Sequence, residues 1–377
     1  MSETDDAVDV AIIGAGVIGC AIAAAAARHG SSVLVLERED REGTGVTSRN
    51  SGVVHSGLYY PPGSRKARAC VRGQALVYEW AARRGVAHRR TGKLVIVPAS
   101  APRVDAAVAA LHALHENARR SGARGCELIS PERAARLEPS LPQCAAAMLC
   151  RHSGIIDVHE LTRSLLADAC QRDVVVATRA EVTRVTPGAR DFTIESARGP
   201  VRATRVINAA GLYADRVARM VGLDDYTIYP CRGDYFRLRR TPRFEHLIYP
   251  VRAPGDPGLG IHLTLELDGG QRVGPDAEYV DARDDFGPAE HKHAVFLEAT
   301  RRLLGPLAPE QLAYDGCGIR PKLRAPHETR DLDFILREQP AGFLHLLGIE
   351  SPGVTAALAL AEEVADGFLK GQAVVSG

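Results

Sequence analysis

The sequence predicts an α/β fold in which a parallel-sheet unit is interrupted by a β-rich insert. Three observations carry this. The chain opens on a strand, a glycine turn, a helix and a second strand; its middle is dense in short β-type runs; and its end returns to a strand followed by a helix. At 377 residues the chain is long enough for two domains and a full-sized core.

The opening unit is the most informative. Residues 8–13, VDVAII, read as a buried strand, and Gly14-Ala15-Gly16-Val17-Ile18-Gly19 follows at once. The Ala-rich stretch behind it reads as a helix, and residues 31–37, SSVLVLE, as a second strand ending on Glu37. In such a turn Gly14 allows the tight bend, Gly16 lets backbone approach a pyrophosphate, and Gly19 lets helix pack on strand. The helix N-terminus offers N–H groups to phosphate charge. Glu37, 18 residues past Gly19, can accept hydrogen bonds from ribose hydroxyls. Together these predict a Rossmann-like dinucleotide site, and the acid at Glu37 disfavours NADP. Residues 38–64 are polar and glycine-rich, and no second G-x-G-x-x-G stands between a strand and a helix. That suits one tightly held FAD better than a nicotinamide.

Further along, Ser64–Arg84 reads as a helix closed by Gly85, Thr91–Pro98 as a strand and Ala101–Arg120 as a helix. Ser130-Pro131 is a helix start, and Asp157 with Glu160 has the form of a capping box. VVVAT, EVTRV and DFTIES predict a small antiparallel set, and ATRVINAAG a buried strand. Residues 234–280 are β-rich, a helix is expected over Glu290–Leu304, and GCGIRPKL, DFIL and GFLHLLG precede a last helix after Ser351-Pro352.

Composition narrows the partners. With 47 basic and 46 acidic residues and no run of five like charges, there is no field to gather nucleic acid. No apolar stretch approaches a membrane span, and the opening MSETDDAVDV lacks the basic start of a secretory signal, so a cytoplasmic protein is expected, with peripheral membrane contact left open. The eight cysteines form no C-x-x-C pair, which argues against a zinc site or a redox dithiol; no metal is expected. Only five of the basic residues are lysine, so a lysine inside a motif is the rarer event.

GAGVIG (14–19), TSRNSGVVHSGLYYPPGSRKARAC (47–70), TGKLVIV (91–97), VINAAGLYAD (206–215), RGDYF (232–236), GLGIHLTLELDGG (258–270), GPDAEYV (274–280), GIRPKL (318–323) and GIESPGVTAALALAEEVA (348–365) span almost the whole chain. With these the sequence resembles the D-amino-acid-oxidase superfamily of FAD-dependent oxidoreductases, and within it the L-2-hydroxyglutarate dehydrogenase/oxidase group. The resemblance implies the two-domain fold of that superfamily and of glutathione reductase. Its FAD-binding domain would take residues 1–85, 145–220 and 315–377, and a substrate domain residues 86–144 and 221–314. Gly14, Gly16, Gly19, Glu37 and Arg38 would hold the ADP half of FAD, and Thr47, Ser48, Arg49 and Asn50 would line its diphosphate and flavin side. Val182 would meet the adenine, Ala210 and Gly211 would pass close to the cofactor, and Gly348, Ile349, Gly353, Val354 and Thr355 would bring a helix N-terminus to the flavin. The chain departs from the group's longer members at VRAPGDPG (251–258), beside the expected substrate pocket.

The activity implied is oxidation of a small L-2-hydroxy acid, L-2-hydroxyglutarate in the first instance, to the 2-oxo acid, the flavin being reoxidised by oxygen or a quinone. An amino acid, a secondary amine or glycerol 3-phosphate is the alternative substrate. Such chemistry needs an anchor for the carboxylate and a base for the hydroxyl proton. Arg320 matches the superfamily's carboxylate-binding arginine, and Lys322 would share its face of a strand. His55 is the leading base, against a purely loop-ordering role, and His262 is the second candidate. Tyr60, Tyr235 and Tyr249 are candidates for hydroxyl contacts, or for packing alone.

Overall fold

In a computed structural model, which describes residues 7–251, 260–328 and 332–372, the chain folds around two large sheets. The first has eight strands. At its centre Val8–Ile13 lies parallel between Val33–Leu36 and Gly199–Asn208, and Phe343–Leu347 extends the parallel set beside Gly199–Asn208. The helix Val17–Arg28 packs on this sheet and against the helices Val158–Cys170 and Gly353–Asp366. Ten of its twelve residues are buried, most of them alanine, whose small side chain lets the neighbouring helices approach closely.

The second sheet has nine strands, largely antiparallel, and the residue pattern explains its layout. Lys93–Pro98, Cys144–Cys150, Leu247–Pro250 and His262–Leu265 are buried almost throughout. One face is covered by the helices Val104–Arg120, Pro131–Leu137 and His293–Leu304, and the other looks toward the first sheet. Register then decides which side chains share that inner face: Tyr249 stands beside Val95, His262 opposite Gly274, and Arg320 opposite Cys231.

Caps fall where the residues predict. Ser64 and Ser130 accept the N–H groups of Ala67 and Arg133, and Gly85 closes its helix at φ 70°. Asp157 accepts the Glu160 N–H, but the Glu160 carboxylate takes the N–H of Ala87 rather than completing a capping box. Two further expectations are corrected. Val175–Ala177, the VVVAT strand, does not join the antiparallel hairpin; it runs parallel to Val33–Leu36 at the edge of the first sheet, because the helix before it supplies the crossover. The helix expected from Ala101 starts at Val104. Strands Cys144–Cys150 and Leu312–Lys322 both lie in the second sheet, although the expected boundaries at 145 and 315 put nearly all of the first, and most of the second, with the cofactor domain. The segment VRAPGDPG falls, apart from Val251, outside the described residues. No helix among those described is long and apolar enough to cross a membrane.

Candidate active site

One cavity of about 1440 Å³ runs from the glycine turn to the inner face of the second sheet. Pockets for drug-sized ligands span about 300–1,000 Å³, so this volume accommodates a dinucleotide and a smaller molecule together.

The dinucleotide end is shaped by missing side chains. Gly14 sits at φ 104°, and a Cβ there would lie 2.7 Å from the Ala209 carbonyl oxygen. A Cβ on Gly19 would lie 1.9 Å from the Gly14 oxygen, so Gly19 serves the packing of helix on turn and does not line the cavity. Glu37 ties the turn down by accepting the Ala15 N–H at 2.7 Å. Gly16, Glu37, Arg38, Thr47, Arg49, Asn50, Val182, Ala210 and Gly211 all line the cavity. Thr47 accepts the first helical N–H, that of Val17, at 3.0 Å, and the Arg38 guanidinium covers the Tyr213 ring. Ser48 is turned away: its hydroxyl donates to the Thr44 and Gly45 carbonyls of its own turn. Gly348, at φ 68°, packs on Leu323 and is likewise not on the wall. Ile349, Gly353, Val354 and Thr355 are, and they present the start of the fourteen-residue helix Gly353–Asp366 to the cavity. The turn, the helix end and the buried acid fit the adenosine diphosphate half of FAD.

The other end is built on the second sheet. Arg320 reaches the cavity with its guanidinium held by three backbone carbonyls, those of Cys231, Arg232 and Asp276, at 3.3, 3.0 and 2.6 Å. Among the described residues none of its partners is a carboxylate, so the positive charge is positioned but not neutralised there. Lys322, two residues on, is different. Its Nζ lies 3.0 Å from Glu350, which also binds Lys66 at 3.1 Å. The two lysines hold the buried Glu350 carboxyl down at about 2, against the effect of burial.

His55 hangs from the helix start through its backbone N–H, which donates to Thr355 Oγ1 at 3.0 Å. Its Nε2 is 3.3 Å from Ser351 Oγ and its buried Nδ1 has no partner among the described residues. Burial, then the charge of Lys93 and the proximity of His262, keep it well below the ordinary histidine range, hence neutral. His262 is also neutral, pushed down to about 3 chiefly by burial. Its Nδ1–H donates to the Gly260 carbonyl at 2.7 Å, which leaves Nε2 as a lone-pair acceptor, and its ring stacks on Tyr249 at 3.7 Å. Tyr60, Tyr235 and Tyr249 line the same space. The structure thus brings His55, His262, Arg320 and Lys322 to one cavity, with Lys322 already paired.

Sequence reasoning missed Lys66, Glu350 and Lys93. A signal existed for the last: Lys93 is one of five lysines and stands in the apolar strand KLVIVP, where a charged side chain is out of place.

The model of the family described as "FAD dependent oxidoreductase" matches residues 9–367. The chain belongs to that family. This FAD-dependent oxidoreductase is 33% identical to the mitochondrial L-2-hydroxyglutarate dehydrogenase of Arabidopsis thaliana, over 96% of this chain and 84% of the relative. It is 30% identical to the human mitochondrial enzyme of the same name, over 97% and 89%. A glycerol 3-phosphate dehydrogenase of Caloramator mitchellensis matches at 29% over 95% and 73%. Among solved structures, the dithionite-reduced L-alpha-glycerophosphate oxidase of Mycoplasma pneumoniae with FAD bound superposes with a TM-score of 0.86 and 25% identity, over 97% of this chain and 95% of the other. FAD is the cofactor of this oxidoreductase.

Proposed function

We propose that this oxidoreductase oxidises a small L-2-hydroxy acid, L-2-hydroxyglutarate in the first instance, to the 2-oxo acid. The observation that carries the reading is the unneutralised Arg320 guanidinium sharing a cavity with the neutral His55. Arg320 offers its charge and free N–H groups to the substrate carboxylate. His55, uncharged and with an unpartnered ring nitrogen, takes the hydroxyl proton. His262 presents the Nε2 lone pair to the same space, where it accepts a hydrogen bond from the substrate hydroxyl against the Tyr249 wall. Burial of His55 and His262 keeps water from the proton transfer. FAD, when bound, supplies the hydride acceptor; oxygen or a quinone is the class of final electron acceptor. In this reading Gly14, Gly16, Glu37, Arg38, Thr47 and Val182 hold the adenosine and diphosphate, while Asn50 and Gly353–Thr355 border the flavin.

The test is anaerobic mixing of the FAD-loaded enzyme with L-2-hydroxyglutarate while the long-wavelength flavin band is recorded. Bleaching at substrate concentrations up to the millimolar range supports the assignment. A band that persists there, but bleaches with glycerol 3-phosphate, transfers it to the substrate class of the Caloramator relative.

A further inference from the structure

Beneath the tyrosine wall of the cavity lies an unusual cation. Lys93 is fully buried, and its Nζ has no hydrogen-bond partner among the described residues. The ammonium sits 4.0 Å from the centre of the Tyr249 ring and 5.4 Å from that of Tyr59. Tyr249 carries His262 stacked against it from the neighbouring strand, so Lys93, Tyr249 and His262 form a layered stack that ends at the cavity. The hydroxyl of Tyr59 and Nδ1 of His55 are buried in the same region, without hydrogen-bond partners among the described residues. Around Lys93 the groups that titrate are Cys150 on the adjacent strand, Cys126 one strand further, Cys70 on the helix Arg65–Arg84, and the two tyrosines. His55 faces Lys93, His262 and Ser351. None of these, among the described residues, is a carboxylate. Burying a lysine without a counter-ion is strongly unfavourable, so its retention calls for a task that needs the charge.

We propose that Lys93 is a positioning residue: from behind the Tyr59/Tyr249 wall its ammonium adds to burial in keeping His55 in the base form and draws an anionic hydroxy acid into the cavity. This rests on the proposed hydroxy-acid reading, and it assigns Lys93 no contact with substrate. The geometry is consistent with action at a distance, since the ammonium is separated from the cavity by aromatic rings and the interior screens charge weakly. Burial also pulls Lys93 itself down to about 8, from 10.5 when exposed, so its charge is largely present at neutral pH. The unfolded chain therefore holds the extra proton between those two values. Folding stability should rise as pH climbs from about 8 towards 10.5, and the destabilisation by the buried charge is complete below 8.

The experiment compares wild type with K93M and K93Q, all loaded with FAD. Rates of flavin reduction are measured against L-2-hydroxyglutarate concentration from acid to alkaline pH, with thermal unfolding over the same range. Loss of the positive charge makes His55 easier to protonate, so in both variants the acid limb of the rate profile moves to higher pH. The half-saturating substrate concentration rises on the order of tenfold. Both variants unfold at higher temperature than wild type at pH 7 and lack its stability gain above pH 8. An unmoved acid limb with unchanged saturation overturns the proposal whatever the unfolding curves show, and so does an effect confined to one of the two neutral variants. Should wild type not be reduced by L-2-hydroxyglutarate, the substrate reading fails separately. The charge effect is then read from glutarate binding, followed by perturbation of the flavin absorbance: weaker binding in both variants supports it and equal binding overturns it.

Discussion

Replacing His55 by alanine removes the ring lone pair but leaves the backbone N–H that anchors the loop on Thr355. The variant should bind FAD normally and be reduced about 10²–10⁴-fold more slowly, as measured in a stopped-flow instrument. Arg320→Met removes the charge held by three carbonyls. The loss of a charged hydrogen bond, about 1.5–3 kcal/mol, should raise the half-saturating substrate concentration roughly 10–100-fold, with less effect on the limiting rate. Glu350→Gln strands Lys66 and Lys322 as buried, unpaired cations and should lower stability by about 3–5 kcal/mol in urea unfolding. The pH dependence has a definite sign. The Glu350 carboxyl is at about 2 when folded and 4.5 when free. Its contribution is therefore complete above 4.5 and is lost as pH falls towards 2, a loss that Glu350→Gln should not show. At this scale the residue types were legible and their partners were not. Nothing in G-I-R-P-K says that Arg320 lies among carbonyls while Lys322 meets a carboxylate from residue 350, because that depends on a contact between distant segments.

The helices Arg65–Arg84 and Gly353–Asp366 cross so closely that a Cβ on Gly73 would lie 2.1 Å from the Thr355 oxygen. Gly73→Ala must push the second helix away. Since that helix starts at the cavity wall, the substitution should lower the unfolding temperature, costing about 1–3 kcal/mol. It should also weaken FAD binding, measured by quenching of flavin fluorescence on titration. Elements with a chemical punctuation mark were readable: Ser64, Ser130 and Gly85 fix helix ends by local hydrogen bonds or a left-handed turn. Pairing partners were not. Val175–Ala177 carries the same β-type residues whether it joins a hairpin or a parallel edge, and the Ala-rich run Cys144–Cys150 has weak strand propensity until the second sheet flanks it on both sides.

Across the whole molecule, the cavity lies between the two sheets, and both contribute walls to it. Removing FAD should therefore lower the unfolding temperature of the entire chain; at a free cofactor concentration of about 1,000 times Kd the bound state gains about 4 kcal/mol, which scanning calorimetry with and without added FAD detects. The fold class followed from the glycine turn and the β-rich middle, but the boundaries did not, since the chain passes between sheets within continuous apolar runs. Gly318 illustrates how tightly the halves are joined: a Cβ there would lie 2.4 Å from the Arg49 oxygen, so the strand bearing Arg320 rests directly on the loop expected to border the flavin. On the same inner face, Tyr249, His262, Tyr235 and Arg320 come from four different strands. Inheritance can act on these separately. A single codon change at Tyr249 or His262 reshapes the chamber without disturbing the glycine turn, whereas any change at Gly318 disturbs both ends at once. Lineages in which this enzyme has taken a different substrate should thus diverge first along the strands Leu247–Pro250 and His262–Leu265 and last at Gly318.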